Sequence, residues 1–205
     1  MKARAARIQP DVASEPFLPN RTPSAHGTLS NAMTTSGGGI ATFNFTDTAD
    51  TALLVTDQGS QKGALLGNLT SKTVTATFAV TGATAFEFYG EGTPSNPCST
   101  PTSARLFFQT SNAGGFDATH YWWSNGTDYS RVLASGEFTI SVAINALNWS
   151  DWNGQFGTAV PEPFAQAASN VTEIGISFGG GCFFENGVGT TDGSGVFTLR
   201  SFTVN

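Results

Sequence analysis

The sequence predicts an all-β fold, a two-sheet antiparallel β-sandwich of the jelly-roll kind with at most one short helix. Three observations carry this: about ten runs in which apolar and polar residues alternate, turn chemistry every 8 to 12 residues, and one credible helical turn. The chain has 205 residues, enough for one well-cored domain plus a tail. Residues 1–38 read as an arm or linker. Pro10, Pro16, Pro19 and Pro23 precede a Ser/Thr-rich stretch without hydrophobic period that ends in Gly37-Gly38-Gly39. A short helix over residues 3–8 is compatible with the sequence, and the arm is either a disordered linker or a segment that docks on a neighbouring subunit. The sandwich domain is expected over residues 39–205.

Taken in order, Phe43 and Phe45 alternate with Thr42, Asn44 and Thr46, and a turn leads to Ala52-Leu53-Leu54-Val55. The clearest strand follows, with Val74, Ala76, Phe78 and Val80 inward and Thr73, Thr75 and Thr77 outward. Its expected hairpin partner is 84–89, with Phe86 and Phe88 inward and Glu87 outward. The Pro-rich loop 90–102 holds Cys98. Next, Leu106 and Phe108 face the core while Arg105, Phe107 and Gln109 take the opposite face. Residues 119–124, Thr-His-Tyr-Trp-Trp-Ser, form the densest aromatic cluster, closed by the tight-turn pair Asn125-Gly126. Phe138, Ile140, Val142 and Ile144 alternate inward. Residues 148–156 read as a loop bearing Trp149 and Trp152, and residues 163–168 as the helical turn. The strand 171–178 puts Ile174, Ile176 and Phe178 on one face and Glu173, Gly175 and Ser177 on the other, and 196–204 closes the chain.

Cys98 and Cys182 are the only cysteines, each in a Gly- or Pro-rich loop beyond a strand, which predicts a disulfide and an oxidising compartment. Lys2, Arg4 and Arg7 resemble the basic opening of a signal peptide, but Ile8-Gln9-Pro10-Asp11 follows where an apolar run is needed. Export would use a signal beyond this chain or another route, and the expected location is extracellular or at the cell surface. No apolar stretch is long enough to cross a bilayer. Net charge is -6, charged residues make up only 12%, and four of the nine basic residues (Lys2, Arg4, Arg7, Arg21) lie in the arm. Nucleic acid is thereby an unsuitable partner, because phosphate neutralisation needs a clustered basic face.

At Trp149, Phe164, residues 171–178 and residues 197–204 the chain resembles the jelly-roll domains of the galactose-binding-like superfamily, which includes many carbohydrate-binding modules. Their second halves share a Trp-containing segment, a short helical turn, a V-x-x-I-G-x-x-F strand and a closing amphipathic strand. The run Ile174-Gly175-Ile176-Ser177-Phe178-Gly179-Gly180-Gly181-Cys182-Phe183-Phe184 also looks like exported bacterial surface proteins, which implies an extracellular location and no activity. Val160-Pro161-Glu162-Pro163 is similar to a bacterial sorting signal, but the domain continues past it, so it reads as a loop.

Sugar recognition needs aromatic faces with polar groups beside them. Of the adjacent Trp122 and Trp123, alternation sends one to the core and the other, with Tyr121, to the opposite face. The candidate ligand-binding residues are Tyr121, Trp123, Arg105, Gln109 and Glu87, the last three expected on neighbouring strands; the alternative is that both tryptophans are structural and Arg105 pairs with Glu87. The expected function is a non-catalytic module that binds a polysaccharide or cell-surface glycan. The alternative is a structural subunit of a surface, filament or coat that self-associates through its arm. A glycoside-active enzyme would need a carboxylate pair such as Glu87 with Glu137 or Asp128, which no spacing singles out. Neither His26 nor His120 lies near a nucleophile elbow. No cofactor is implied, although Asp47, Asp50 and Asp192 could offer oxygens to Ca²⁺ from turns. Of the Asn-x-Ser/Thr triplets at Asn20, Asn44, Asn68, Asn125, Asn148 and Asn170, Asn44 falls within an expected strand.

Overall fold

Alternation along the strands becomes two packed antiparallel sheets. The computed structural model describes residues 18–21, 34–36, 40–56, 65–111, 114–126 and 129–205. The strands are β1 (Leu18–Arg21), β2 (Thr34–Ser36), β3 (Ile40–Asn44), β4 (Thr51–Thr56), β5 (Thr73–Thr81), β6 (Phe86–Phe88), β7 (Ser103–Thr110), β8 (Tyr121–Ser124), β9 (Ser130–Val132), β10 (Gly136–Ala143), β11 (Trp149–Asp151), β12 (Val171–Gly179), β13 (Val188–Thr190) and β14 (Val196–Val204). One sheet runs β11-β8-β7-β12-β4-β13-β6, with β1 added to β4 and β9 to β7; the other runs β10-β5-β14-β3-β2. A single α-helix among the described residues, α1 (Pro161–Ser169), and a 3-10 turn (Ala118–His120) complete the fold.

The main core lies between the sheets. Phe43, Phe45, Phe78, Phe178 and Phe197 interlock there, with Phe43 stacked on Phe197 at 4.9 Å and Phe178 edge-on to Phe197 at 5.3 Å. At the other end, Trp122, Phe108, Trp149 and Phe164 form a second aromatic knot, in which Trp122 meets Phe164 at 5.0 Å and Phe108 meets Trp149 at 4.8 Å. The inward sets expected on β5, β7, β10 and β12 all belong to this core. On the outer face of the second sheet, hydroxyls of β5 and β10 pair across strands, Thr75 with Ser141 at 2.8 Å and Thr77 with Thr139 at 3.0 Å.

The disulfide forms. Cys98 and Cys182 are joined with 5.0 Å between their Cα atoms, closing a sequence separation of 84. Asn96 steadies the bridge, its Oδ1 accepting a bond from the Cys182 N–H at 2.8 Å. A side chain at Gly181, at φ 66°, would collide with that amide. No helix of the described residues is long and apolar enough to cross a membrane.

Four expectations need correction. Residues 84–89 do not form a hairpin with β5: β6 pairs with β13 in the opposite sheet, because both edges of β5 are taken by β10 and β14. The Val-Pro-Glu-Pro stretch is not a loop but the start of α1, with Pro161 in the first turn, where a missing N–H costs nothing and φ is already set. Its Phe164, Ala167 and Ala168 are buried, so packing holds a helix that has no side-chain N-cap. The stretch 148–156 contains the short strand β11, paired with β8. The arm supplies β1 and β2, paired with β4 and β3, which no apolar period announced because backbone pairing needs none. The suggested helix over residues 3–8 lies outside the described residues.

Candidate functional site

The outer face of the larger sheet is not a plain solvent surface. Strand register aligns Tyr121, Gln109 and Glu173 in one row across β8, β7 and β12, and Trp123, Phe107, Gly175 and Val55 in the next row, which extends onto β4. Arg105, Ser177 and Leu53 form the third. Leu53, Val55, Phe107 and Trp123 make a small apolar cluster of their own, with Tyr121 and Phe184 packed against it. The strand β4 is therefore buried on both faces, which explains its unbroken apolar run.

At the β8 end of this face the rings reach solvent. Phe116 stacks on Tyr121 at 5.6 Å and meets Trp152 edge-on at 5.5 Å, while Trp152 lies 5.8 Å from Tyr121 and 5.7 Å from Trp123. Tyr121 and Trp123 are near-parallel at 6.4 Å. Exposure falls along the series, from 64% at Phe116 and 38% at Trp152 to 2% at Trp123. Local chemistry fixes the platform. Asp117 Oδ1 accepts bonds from the Thr119 N–H and hydroxyl, both 2.8 Å, opening the 3-10 turn that delivers Tyr121. Those bonds hold the Asp117 carboxyl below its usual pKa. Asp151 Oδ1 accepts from the Asn153 and Gln155 N–H groups at 2.9 Å, folding the turn that presents Trp152. The Trp152 N–H in turn reaches the Ala118 carbonyl at 3.3 Å, tying the two turns together.

Further in, polar groups surround Phe184. The Arg105 guanidinium lies 4.2 Å from the centre of its ring and donates through Nη1 to the Ser124 carbonyl at 3.3 Å. Burial lowers the Arg105 pKa. Trp123 packs against the same ring, tilted, with 6.0 Å between centres. Glu185 is half-buried, but its Oε2 is shut from water, and enclosure together with the charge of Glu173 raises its pKa well above the ordinary value.

Of the sequence-predicted site residues, the fold brings Tyr121, Trp123, Arg105 and Gln109 onto one face of adjacent strands. It separates Glu87, which sits on β6 at the opposite edge of the sheet. Glu87 instead lines an open groove of about 430 Å³ with Asp47, Tyr89 and Glu91. Arg105 accordingly stacks on Phe184 rather than pairing with Glu87. The choice that alternation left open is decided: Trp122 is the core ring, and Trp123 is on the far face, where its neighbours bury it. Sequence reading missed Phe116, Trp152 and Phe184 as members of this face, because all three come from loops whose placement depends on distant pairing.

The other candidates remain apart. Glu137 lies in the smaller sheet on β10, and Asp128 lies outside the described residues. Asp50 accepts from the Thr46 hydroxyl at 2.9 Å and Asp192 from the Ser194 N–H at 3.0 Å, so both serve their turns. Among the described residues no group of three or more His, Cys, Asp or Glu side chains is placed to hold a metal ion. A second open groove, about 760 Å³, lies beside the disulfide between Phe86, Phe88 and the prolines of 94–101. Compared with known proteins, the sequence matches no family model and no curated protein.

Proposed function

We propose that the domain is a non-catalytic extracellular glycan- or surface-binding module, and that it grips polysaccharide through Phe116, Tyr121 and Trp152. The observation that carries this reading is the aromatic platform itself. Two rings are exposed at 64% and 38%, each held by its own hydrogen-bonded turn, and they continue a stack rooted in the sheet. Exposed rings fixed in this way offer flat apolar faces to the C–H side of a sugar at little entropic cost. The resemblance to carbohydrate-binding jelly rolls and the disulfide support the same reading and an oxidising location. Screening the protein on a glycan array, then repeating the positive spots with Trp152→Ala, tests it. Binding lost with Trp152 supports the module, and an array with no positive spot refutes it.

A second reading, a surface subunit that self-associates through its arm, is favoured by β1. An arm segment that pairs with β4 of its own chain presents the hydrogen-bonding pattern needed to pair with β4 of a neighbour.

A further inference from the structure

Three side-chain atoms around Phe184 are closed to solvent and have no hydrogen-bond partner: Arg105 Nε, Trp123 Nε1 and Glu185 Oε2. A fourth such atom, Asp151 Oδ2, belongs to the Trp152 turn and lies opposite Trp122 in the strand register. Buried polar atoms without partners are costly and rare, and the two donors among them belong to side chains that contact one ring, the Arg105 guanidinium 4.2 Å and the Trp123 indole 6.0 Å from the centre of Phe184, with Glu185 next to it in the chain.

We infer, resting on the glycan-binding reading, that the loop 182–186 is a lid and that Phe184 plugs an inner subsite for one pyranose unit, built by Trp123, Arg105 and Glu185. The phenyl ring stands where the sugar ring would stand: against the indole of Trp123 at 6.0 Å and under the guanidinium at 4.2 Å. A pyranose offers the same apolar face and adds what the phenyl lacks. Its oxygens accept from the Trp123 and Arg105 N–H groups, and its hydroxyls both donate to and accept from the Glu185 carboxyl.

The loop has the anatomy of a lid. It is pinned at one end by the disulfide and the Cys182–Asn96 bond, and at the other by Asn186, whose Oδ1 accepts from the Gly180 N–H at 2.8 Å and whose Nδ2 donates to the Tyr89 carbonyl at 2.9 Å. Between these anchors the Phe184 carbonyl accepts from the Ser177 hydroxyl at 3.1 Å, and Phe183 is 45% exposed. The subsite adjoins the outer platform through Trp123, so a chain lying on Phe116, Tyr121 and Trp152 would place its end residue there.

Isothermal titration of neutral hexaoses of glucose, xylose, mannose and galactose into the full chain and into Phe184→Ala tests this. With the plug gone, the hexaose that the wild type binds should bind about tenfold tighter, since the cost of opening the lid is removed. Adding Arg105→Lys to Phe184→Ala should cancel that gain. If Phe184→Ala disturbs folding, judged by near-ultraviolet circular dichroism, Phe184→Leu carries the same expectation at smaller amplitude. Wild-type binding that depends on Trp152 but is not tightened by either Phe184 variant overturns the subsite and leaves the platform standing. No binding of any hexaose by any of these proteins overturns both.

Discussion

Trp152 and Trp123 separate binding from stability at the level of single side chains. Trp152 is 38% exposed and sits on a turn, so Trp152→Ala should weaken glycan binding by about thirtyfold, the ~2 kcal/mol of an aromatic hot spot, while leaving the melting temperature nearly unchanged. Titration and calorimetry on the same variant read both. Trp123→Ala, by contrast, empties a site that is 2% exposed, and should destabilise the domain by about 3–5 kcal/mol in chemical denaturation. Glu185 gives a pH test. Its folded pKa is raised, so the folded state holds the proton more tightly than the unfolded one. Stability is then fully present below the ordinary carboxylate value of 4.5 and declines as pH rises from there through the raised folded pKa. The charged group acting on it is Glu173 on β12. Glu185→Gln should raise the melting temperature at pH 7 and flatten its fall above pH 4.5, as measured by thermal scans across pH. A variant with the same pH profile as the wild type would rule this out.

Between elements, β12 and β4 leave no room for a side chain at Gly175. Gly175 lies opposite Val55, and a Cβ there would overlap the Leu54 carbonyl oxygen and crowd the Val55 Cα, both backbone atoms that cannot swing aside. Gly175→Ala should therefore cost about 3 kcal/mol, at the upper end of overpacking penalties, visible as an earlier urea midpoint. The disulfide acts on a longer scale. Opening an 84-residue separation by Cys98→Ser with Cys182→Ser should remove about 4 kcal/mol in the chain-entropy model, and it should free the loop that carries Phe184. The periodic strands β5, β7, β10 and β12 were legible in advance because each has one face in the main core and a period of two follows directly. The helix boundary was not, since Pro161-Glu162-Pro163 is helical only when Phe164 has a core to enter.

For the whole molecule, the question is what the arm does. β1 covers backbone groups of β4 through a register from Leu18↔Val55 to Arg21↔Thr51. A chain beginning at Gly39 should keep the sandwich but melt lower by about 3 °C or more, the shift that ~1 kcal/mol produces at this size. Its uncovered β4 backbone should pair between molecules at high concentration. Sedimentation of both chains decides between the two readings of the arm: oligomers of the intact protein that vanish on truncation favour assembly, and monomers that associate only after truncation favour an intramolecular strand.

By itself the sequence determined the two-sheet architecture, the inward faces, the pairing of Cys98 with Cys182, and the placing of Tyr121 and Trp123 on one face with Trp122 on the other, without deciding which of the two faces is core. All of these follow from the strict alternation of a strand or from there being only two cysteines. Only tertiary structure decided that β6 leaves β5 for the other sheet, which carries Glu87 to the far edge. Only tertiary structure brought Trp152 and Phe184 against Trp123 and Phe116 against Tyr121, turning an expected open face into a largely buried one. The physical reason is that side-chain direction is local to a strand, whereas which strand neighbours which, and where a loop's ring comes to rest, is set by contacts between residues tens of positions apart.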